Sequence, residues 1–238
     1  MSESTYHTSV LLHECLDGLA IKPDGIYVDV TFGGGGHSKA ILEKLGPDGK
    51  LFAFDQDPDA WKQADLIDDE RLTLITANFR YLEKYLRLQG MKQVDGILAD
   101  FGVSSFQLDA AERGFSTRFD GPLDMRMGPS AALSAAEVLN TYSAADLQKL
   151  FGMYGEIKNA KTLALAVVQA RTQKPLETTG EFKEILFKLA PRNKEFRYFA
   201  QAFQAIRIEV NQELKVIEEF LEQTPNVLVN GGRLCIIS

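Results

Sequence analysis

The sequence predicts an α/β protein in which a parallel sheet, wound by helices, is interrupted by a helical insertion. Up to Gly102, short apolar runs rich in β-branched residues alternate with helical segments, and the connections between them are short. Beyond Val103 this alternation stops, and a strand-like run returns only in residues 233–238. With 45% hydrophobic residues, the 238-residue chain can bury one sizeable core and a smaller second module.

The first strand is expected in Gly25–Val30, a short apolar run that lies between the turn sequence KPDG and a series of glycines. A helix follows in HSKAILEKL, where apolar residues recur at helical spacing until GPDG ends it. Further strands are predicted in KLFAFD, RLTLITANF and VDGILADFG, and further helices in PDAWKQADLI and RYLEKYLRLQG. This alternation favours parallel strands joined by right-handed crossovers.

The segment after the fourth strand, residues 103–130, has no sustained period and is predicted to form a long loop. Loops of this length inside compact domains are usually functional or disordered. The segment SAAEVLN then opens a series of helices with a capping-box pattern. We therefore predict a sheet domain in residues 1–132 and 200–238, and an inserted all-helical substrate-recognition domain in residues 133–199.

The chain is expected to return to the sheet through one long amphipathic helix, read in FQAIRIEVNQELKVIEEFLEQ. The final segment, NGGRLCIIS, is typical of a turn followed by a fifth strand. We find no internal repeat and no low-complexity tract.

Charge and composition narrow the possible functions. The formal net charge of −7 argues against indiscriminate phosphate binding, although it allows a local basic patch. Cys15 and Cys235 stand far apart in apolar surroundings and are expected to be core residues. The histidines, His7, His13 and His37, lack metal-ligand spacing, so no metal is expected. With neither a leader pattern nor a membrane-length apolar run, we expect a soluble cytoplasmic protein.

Four glycines, Gly33–Gly36, follow the first strand directly and precede a helix. The carboxyl ends of parallel strands are where open α/β sheets bind ligands, and glycines there let the backbone approach a nucleotide closely. Asp55 ends the next strand about 20 residues later, which is the usual place for a carboxylate that accepts ribose hydroxyls. A tight turn alone needs fewer glycines and does not predict the acid.

The glycine pattern also bears on the type of nucleotide. A dinucleotide fingerprint needs a third glycine for close packing of helix on strand, but Ser38 or Lys39 stands there, depending on the register. S-adenosyl-L-methionine has no pyrophosphate and needs no such glycine. The pattern favours a methyltransferase, and a nicotinamide-dependent oxidoreductase is the alternative.

The loop after the fourth strand carries the most specific signal. Its sequence, DFGVSSFQLDAAERGFSTRFDGPLDMRM, closely resembles the bacterial family of ribosomal RNA small subunit methyltransferase H. So do HTSVLLHE, VDVTFGGGGHS, FQAIRIEVNQEL and NGGRLCIIS, in the same order along nearly the whole chain. The resemblance implies a Rossmann-like class I S-adenosylmethionine-dependent methyltransferase. It further implies an enzyme that methylates the exocyclic N4 amine of a cytidine in 16S rRNA of the small ribosomal subunit.

Carried over by position, the resemblance implies a set of cofactor contacts: Gly35, Gly36, His37, Asp55, Phe79, Asp100 and Gln107. The glycines and the His37 backbone would pass beneath the methionine end of the cofactor. Asp55 would take the ribose hydroxyls, and Phe79 would offer a ring face to the adenine.

Asp100 is the first candidate for the catalytic acceptor of an amine hydrogen, and Asp124 is the second. An acceptor would concentrate electron density on a nitrogen whose lone pair is shared with the cytosine ring, and a true general base is not required. The target base must leave its stack to reach such a site. Loop aromatics could stack on the base, or could instead anchor the loop: Phe101, Phe106, Phe115 and Phe119.

RNA contacts are expected from basic residues in two places. In the loop, Arg113, Arg118 and Arg126 would hold phosphates, or would form ordinary ion pairs. In the insertion, the segment KLAPRNKEFRYF concentrates cations with interleaved aromatics. The cations of this local basic patch are Lys188, Arg192, Lys194 and Arg197. Alternatively, these residues form a solvated helix face with no binding role.

Two features depart from the family pattern. A Thr-Arg-Thr run is replaced here by Ala200, Gln201 and Ala202, which alters the expected RNA contacts. The chain also stops at Ser238, on the fifth strand, where two more strands are expected. An apolar edge left there would favour a homodimer, and activity would depend on the missing strands. A non-catalytic RNA-binding or ribosome-assembly factor is therefore the second alternative.

Overall fold

The computed structural model describes residues 9–238, so His7 and the start of the HTSVLLHE segment lie outside the described residues. The chain divides into two compact units, one formed by the residues up to Ser104 together with Val216–Ser238, the other by Ser105–Lys215. Within residues 9–238, no helix has both the length and the hydropathy that a membrane span requires.

The first unit is built on a five-stranded parallel sheet with the order β3-β2-β1-β4-β5. Its strands are β1 Ile26–Asp29, β2 Lys50–Phe54, β3 Leu72–Ile75, β4 Val94–Asp100 and β5 Leu228–Ile237. All five predicted strands are confirmed. The order is that of the Rossmann fold, in which the chain reverses direction across the sheet between β1 and β4 and ligands bind beyond the carboxyl ends of the strands.

Helices cover both faces of this sheet, as short crossovers require. They are α1 Leu12–Leu19, α2 Gly36–Lys44, α3 Pro58–Ala64, α4 Leu82–Leu88 and α11 Glu213–Val227, whose last part belongs to this unit. Proline at the first position of α3 and the Asp57 side chain, which accepts the Asp59 N–H, fix where that helix begins. Val28, Phe54 and Phe220 lie in the buried core on one face of the sheet.

Strand β5 forms the described edge of the sheet and is irregular. It pairs with β4 at Leu228 and again from Arg233 onward, so the predicted NGG turn is a bulge inside the strand, with Gly231 at φ 79°. Leu234 and Ile236 are partly exposed on this edge. The homodimer stays a prediction.

The two cysteines meet between α1 and β5, in the core cluster on one face of the sheet, as the prediction that both are core residues implies. Cys15 is buried and Cys235 is half-buried, and both are free thiols. Burial and the hydrogen bond with Cys235 raise the pKa of Cys15 to about 12. Cys15 is therefore not poised to react as a thiolate at neutral pH.

The regular elements of the second unit, all of whose residues are described, are helices. They are α5 Ser105–Asp109, α6 Ala135–Thr141, α7 Ala144–Met153, α8 Ala160–Arg171, α9 Thr179–Leu189 and α10 Glu195–Asn211, with a 3-10 turn at Ala111–Arg113. The predicted capping box of α6 is confirmed, and Thr178 and Glu181 form a second one on α9.

The prediction of one long returning helix is wrong. Gln212 adopts a left-handed conformation at φ 51° and separates α10 from α11. The unit boundaries also differ from the predicted insertion of residues 133–199. Leu123 N–H bonds to the carbonyl of Glu177, and Asn211 Nδ2 bonds to the carbonyl of Met125, so the long loop and the end of α10 both belong to the helical unit.

Candidate active site

The glycine loop leaves β1 in a conformation that requires glycine. Gly33 and Gly35 have φ values of 52° and 76°, and Gly35 is the N-cap of α2. A Cβ atom on Gly35 would lie 2.8 Å from the Phe32 ring, and one on Gly36 would overlap Ser9 Oγ. Glycine is therefore needed at Gly35, whereas a Cβ at Gly36 would require the Ser9 side chain to move.

Asp55 follows β2 and is tied to the glycine loop. Its Oδ2 accepts the Gly33 N–H at 2.8 Å, and its Oδ1 accepts the Asp57 N–H at 2.8 Å. Trp61 Nε1 donates to the Asp55 carbonyl at 2.9 Å. Burial raises the pKa of Asp55 to about 6, although these two backbone bonds favour the carboxylate. Each carboxylate oxygen keeps a second lone pair for another donor.

Behind the loop lies a carboxylate to which the sequence analysis gave no role. Asp29, at the end of β1, is fully buried, and its Oδ2 accepts the Ser38 hydroxyl at 2.7 Å. Its Oδ1 accepts the Thr31 N–H at 3.1 Å. Burial raises the pKa of Asp29. A charged residue within an apolar strand was the available signal for this support of the loop.

Asp100 ends β4, beside β1 in the sheet. Its N–H donates to Thr31 Oγ1 at 2.7 Å, which joins its backbone to the start of the glycine loop. Its side chain is 35% exposed, and partial burial raises its pKa, partly offset by His37. Asp100 thus lies at the carboxyl edge of the sheet, as predicted, with an accessible carboxylate.

The buried His37 side chain faces Asp100 from the first turn of α2. Its Nδ1 lies 4.0 Å from Asp100 Oδ2, and its Nε2 lies 3.0 Å from the Val10 carbonyl. Because a carbonyl can only accept, Nε2 carries the proton in this contact. The sequence analysis gave only the backbone of His37 a role, since nothing along the chain links it to Val10.

Phe79 starts a 3-10 turn just after β3. Its ring packs against Phe101 and Phe220, with centroids 5.7 and 5.5 Å away, and all three rings border the sheet core. Phe79 remains partly exposed. Its contact with adenine stays a prediction, and Phe101 is anchored in the same cluster.

The other predicted site residues lie in the helical unit. Gln107 is buried in α5. Asp124 accepts hydrogen bonds from both Nε and Nη2 of Arg126, at 3.0 and 2.6 Å. Although burial opposes it, this pairing holds the pKa of Asp124 below its usual range. Arg113 Nη2 donates to the Arg126 carbonyl at 2.9 Å. Asp124, Arg113 and Arg126 are thus engaged within their own loop.

The remaining loop candidates divide by exposure. Phe115 is buried beneath Arg113, which favours an anchoring role, whereas Phe106 and Phe119 are exposed. Arg118 pairs with Asp109 at 2.7 Å and covers the Phe119 ring. In contrast, Lys188, Arg192, Lys194 and Arg197 are all exposed and, among residues 9–238, form no ion pair.

Comparison with known proteins identifies relatives of this chain by sequence and by structure. A protein of Flavobacterium johnsoniae named ribosomal RNA small subunit methyltransferase H is 58% identical over 98% of this chain and 76% of its own length. A protein of the same name from Bacteroides thetaiotaomicron is 51% identical over 99% and 77%. Among solved structures, a putative rRNA-methylase from Clostridium thermocellum is 24% identical, covers 39% of this chain and 50% of its own, and has a TM-score of 0.34.

The sequence model of the MraW methylase family matches residues 4–238. The match includes the glycine loop, Asp55, Asp100 and the long loop after β4. It confirms the resemblance drawn from those segments and the prediction of a methyltransferase on a Rossmann-like sheet. The chain belongs to the MraW methylase family.

Proposed function

We propose that this protein transfers a methyl group from S-adenosyl-L-methionine to the exocyclic N4 amine of a cytidine in 16S rRNA of the small ribosomal subunit. The observation that carries the proposal is the placement of Asp100. Its accessible carboxylate lies at the same sheet edge as the glycine loop, fixed to that loop through Thr31. The names of the relatives support ribosomal RNA as the substrate. A ribosomal substrate also supports a cytoplasmic location.

The residues present fit S-adenosyl-L-methionine. Gly35 and Gly36 carry no side chain in the loop that follows β1, which allows a cofactor to approach the backbone closely. Asp55 has its carboxylate oriented by two backbone N–H groups, and each oxygen can still accept a ribose hydroxyl. Phe79 offers a partly exposed ring held by two other rings. When bound, the cofactor supplies an electrophilic methyl group.

The chain contributes alignment of the amine. The Asp100 carboxylate would accept a hydrogen bond from the exocyclic amine. This bond raises the electron density on the nitrogen and orients its lone pair. Thr31 holds the Asp100 backbone, and His37 lies beside the carboxylate. Partial burial makes this carboxylate a stronger acceptor than one in water, as its raised pKa indicates. Asp124 is the weaker candidate because Arg126 already donates to both of its oxygens.

The two alternatives are less well supported. A nicotinamide-dependent oxidoreductase would explain the glycines and Asp55, but not the match to a methylase family over residues 4–238. A non-catalytic assembly factor has no need of an oriented acceptor such as Asp100. Gln107, and RNA contacts by Arg113 and Arg126, remain predictions of the resemblance.

The test combines cofactor binding with product analysis. We would titrate the protein with S-adenosylhomocysteine by calorimetry, with NADH as the control, and expect only the former to bind. Tritiated S-adenosyl-L-methionine and undermethylated small ribosomal subunits should then yield N4-methylcytidine after digestion to nucleosides. Methylation on another atom would overturn the cytidine-N4 assignment, and NADH binding alone would overturn the whole proposal.

The variant Asp100→Asn tests the acceptor. Asparagine keeps one carbonyl oxygen but replaces the charged acceptor, so we expect methyl transfer to fall about 100-fold or more. Binding of S-adenosylhomocysteine should change far less, because the backbone bond to Thr31 is kept. Equal losses in binding and turnover would show that Asp100 serves the cofactor rather than the amine.

A further inference from the structure

The helical unit carries two unusually exposed aromatic side chains. Phe196, at the start of α10, is 85% exposed, and Phe187, near the end of α9, is 68% exposed. Phenylalanine is normally buried, and a ring left in water costs free energy that packing would recover. Their neighbours in sequence follow that rule, since Leu186 and Tyr198 are buried in the unit.

The rings stand on a rigid support. The aromatic side chains of Phe151, Phe182 and Phe203 stack inside the unit and hold α7, α9 and α10 together. Tyr198 Oη donates to Asn159 Oδ1 at 3.0 Å, while Asn159 Nδ2 donates to the Leu189 carbonyl at 3.2 Å. The end of α9 is thereby tied to the start of α10, so the backbone that carries both exposed rings is held in place.

A shallow cavity of about 380 Å³ lies beside the Phe187 ring. It is lined by Gly180, Lys183, Glu184, Phe187, Lys188 and Phe199. Gly180 and Lys183 lie on the face of α9 that also carries Phe187, as their spacing along the helix requires. Lys183 is engaged, because its Nζ donates to the carbonyls of Thr117 and Phe119 at 3.2 and 2.9 Å.

Positive charge without an ionic partner lies close in sequence to both rings. Residues 183–197 contain five basic and two acidic residues, in a chain whose net charge is −7. Lys188, Arg192, Lys194 and Arg197 are exposed, and within the described chain none of them pairs with an acid. Four other basic side chains of the unit do form such pairs, namely Arg118, Arg126, Lys174 and Arg207.

From this combination we propose that Phe187 and Phe196 form a stacking platform for unpaired RNA bases. Lys188, Arg192, Lys194 and Arg197 bind the adjoining phosphates. The inference rests on the proposed function, since it names the surface that holds the RNA substrate. Exposed rings among free cations are the pattern of single-strand binding, where bases stack on aromatics and phosphates meet basic side chains. An apolar protein partner would not require the excess of uncompensated cations.

The first experiment measures RNA binding by fluorescence anisotropy with a labelled, unstructured ten-nucleotide RNA. The double variant Phe187→Leu with Phe196→Leu keeps apolar surface but removes the rings, so we expect affinity to fall at least about tenfold. The double variant with tryptophan at both positions should keep wild-type affinity, because indole also stacks. Met153→Ala with Leu165→Ala removes exposed apolar side chains from α7 and α8 and is the matched control, expected to bind normally.

The second experiment measures the salt dependence of the same binding. Arg192→Gln with Arg197→Gln should reduce the slope of log affinity against log salt by about 1.4, if each arginine meets one phosphate of a single strand. Lys149→Gln with Lys161→Gln, exposed on α7 and α8, is the charge control and should leave the slope unchanged. Affinity for S-adenosylhomocysteine should be the same in every variant, which excludes unfolding as the cause.

Three results would overturn the inference. They are leucine variants that bind RNA as tightly as the wild type, a slope unaffected by loss of Arg192 and Arg197, and a wild-type protein that binds no RNA. Methyl transfer to small ribosomal subunits is measured separately on the wild type. Transfer without a contribution from this surface would sink the inference and leave the proposed function standing, whereas absence of transfer would sink the proposed function.

Discussion

At the scale of single residues, binding at the site depends on the pH range in which the Asp55 carboxylate is ionised. Burial raises the pKa of Asp55 to about 6, and accepting two ribose hydroxyls requires the carboxylate form. Affinity for S-adenosylhomocysteine should therefore be constant above pH 7 and fall about tenfold by pH 5, as Asp55 takes up a proton. Calorimetric titrations between pH 5 and 8 measure this dependence.

Asp55→Asn is the control for that profile. The variant should bind weakly and without this pH dependence, because asparagine does not titrate. The same raised pKa has the opposite effect on the unliganded fold, since folded Asp55 holds its proton more tightly than the unfolded chain does. Its own contribution to stability is thus largest at low pH and is lost as pH rises through 6. A wild-type affinity that stayed flat to pH 5 would contradict the assigned role.

Comparing two glycines with the same φ distinguishes the cost of a left-handed backbone from the cost of a steric clash. Gly35 and Gly90 both have φ 76°, but a Cβ on Gly35 would lie 2.8 Å from the Phe32 ring, whereas one on Gly90 would meet nothing within 4 Å. Gly90→Ala should cost about 1 kcal/mol of unfolding free energy from the left-handed backbone alone. Gly35→Ala should cost at least about 1 kcal/mol more, from overpacking. Urea unfolding measures both.

Only Gly35→Ala should also weaken binding of S-adenosylhomocysteine. If both variants lost the same stability and neither lost affinity, the bare loop backbone would have no role beyond its turn.

At the scale of elements, the break between α10 and α11 has a left-handed residue that is not the usual glycine. Gln212 is left-handed at φ 51°, a position that glycine occupies without steric cost. Gln212→Gly should therefore raise the free energy of unfolding by about 1 kcal/mol, which urea unfolding would show as a higher midpoint. Gln201→Gly, the same change inside α10, should lower stability by about 1 kcal/mol.

The opposite sign of these two changes is the point of the comparison. Destabilisation by Gln212→Gly would mean that the helix runs without a break through Gln212 in solution, as the apolar periodicity of residues 203–223 had predicted. Periodicity could not locate this break, because neither glycine nor proline marks it.

At the scale of the whole molecule, what the sequence could predict follows from what each segment buries. β1 to β4 were found because strands covered on both faces are continuous apolar runs between turns. The bulge in β5 and the contact of Cys15 with Cys235 depend on pairing between distant segments. Asp55 followed from its spacing after the glycines, but the selection of Asp100 needed the resemblance. The hydrogen bonds by which Asp29 and Thr31 support the site are visible only in the folded structure.

The limits of the helical unit give the last prediction. Residues 105–215 form one continuous segment with its own aromatic core and with internal bonds such as Leu123 to Glu177 and Asn211 to Met125. Expressed alone, this fragment should fold cooperatively, with helical circular dichroism and dispersed NMR signals. The fragment 133–199, cut at the limits predicted from the sequence, loses both bonds and most of α10, so it should be far less stable. If the shorter fragment folded equally well, residues 105–132 and 200–215 would contribute nothing to the unit, and its limits would be those predicted from the sequence.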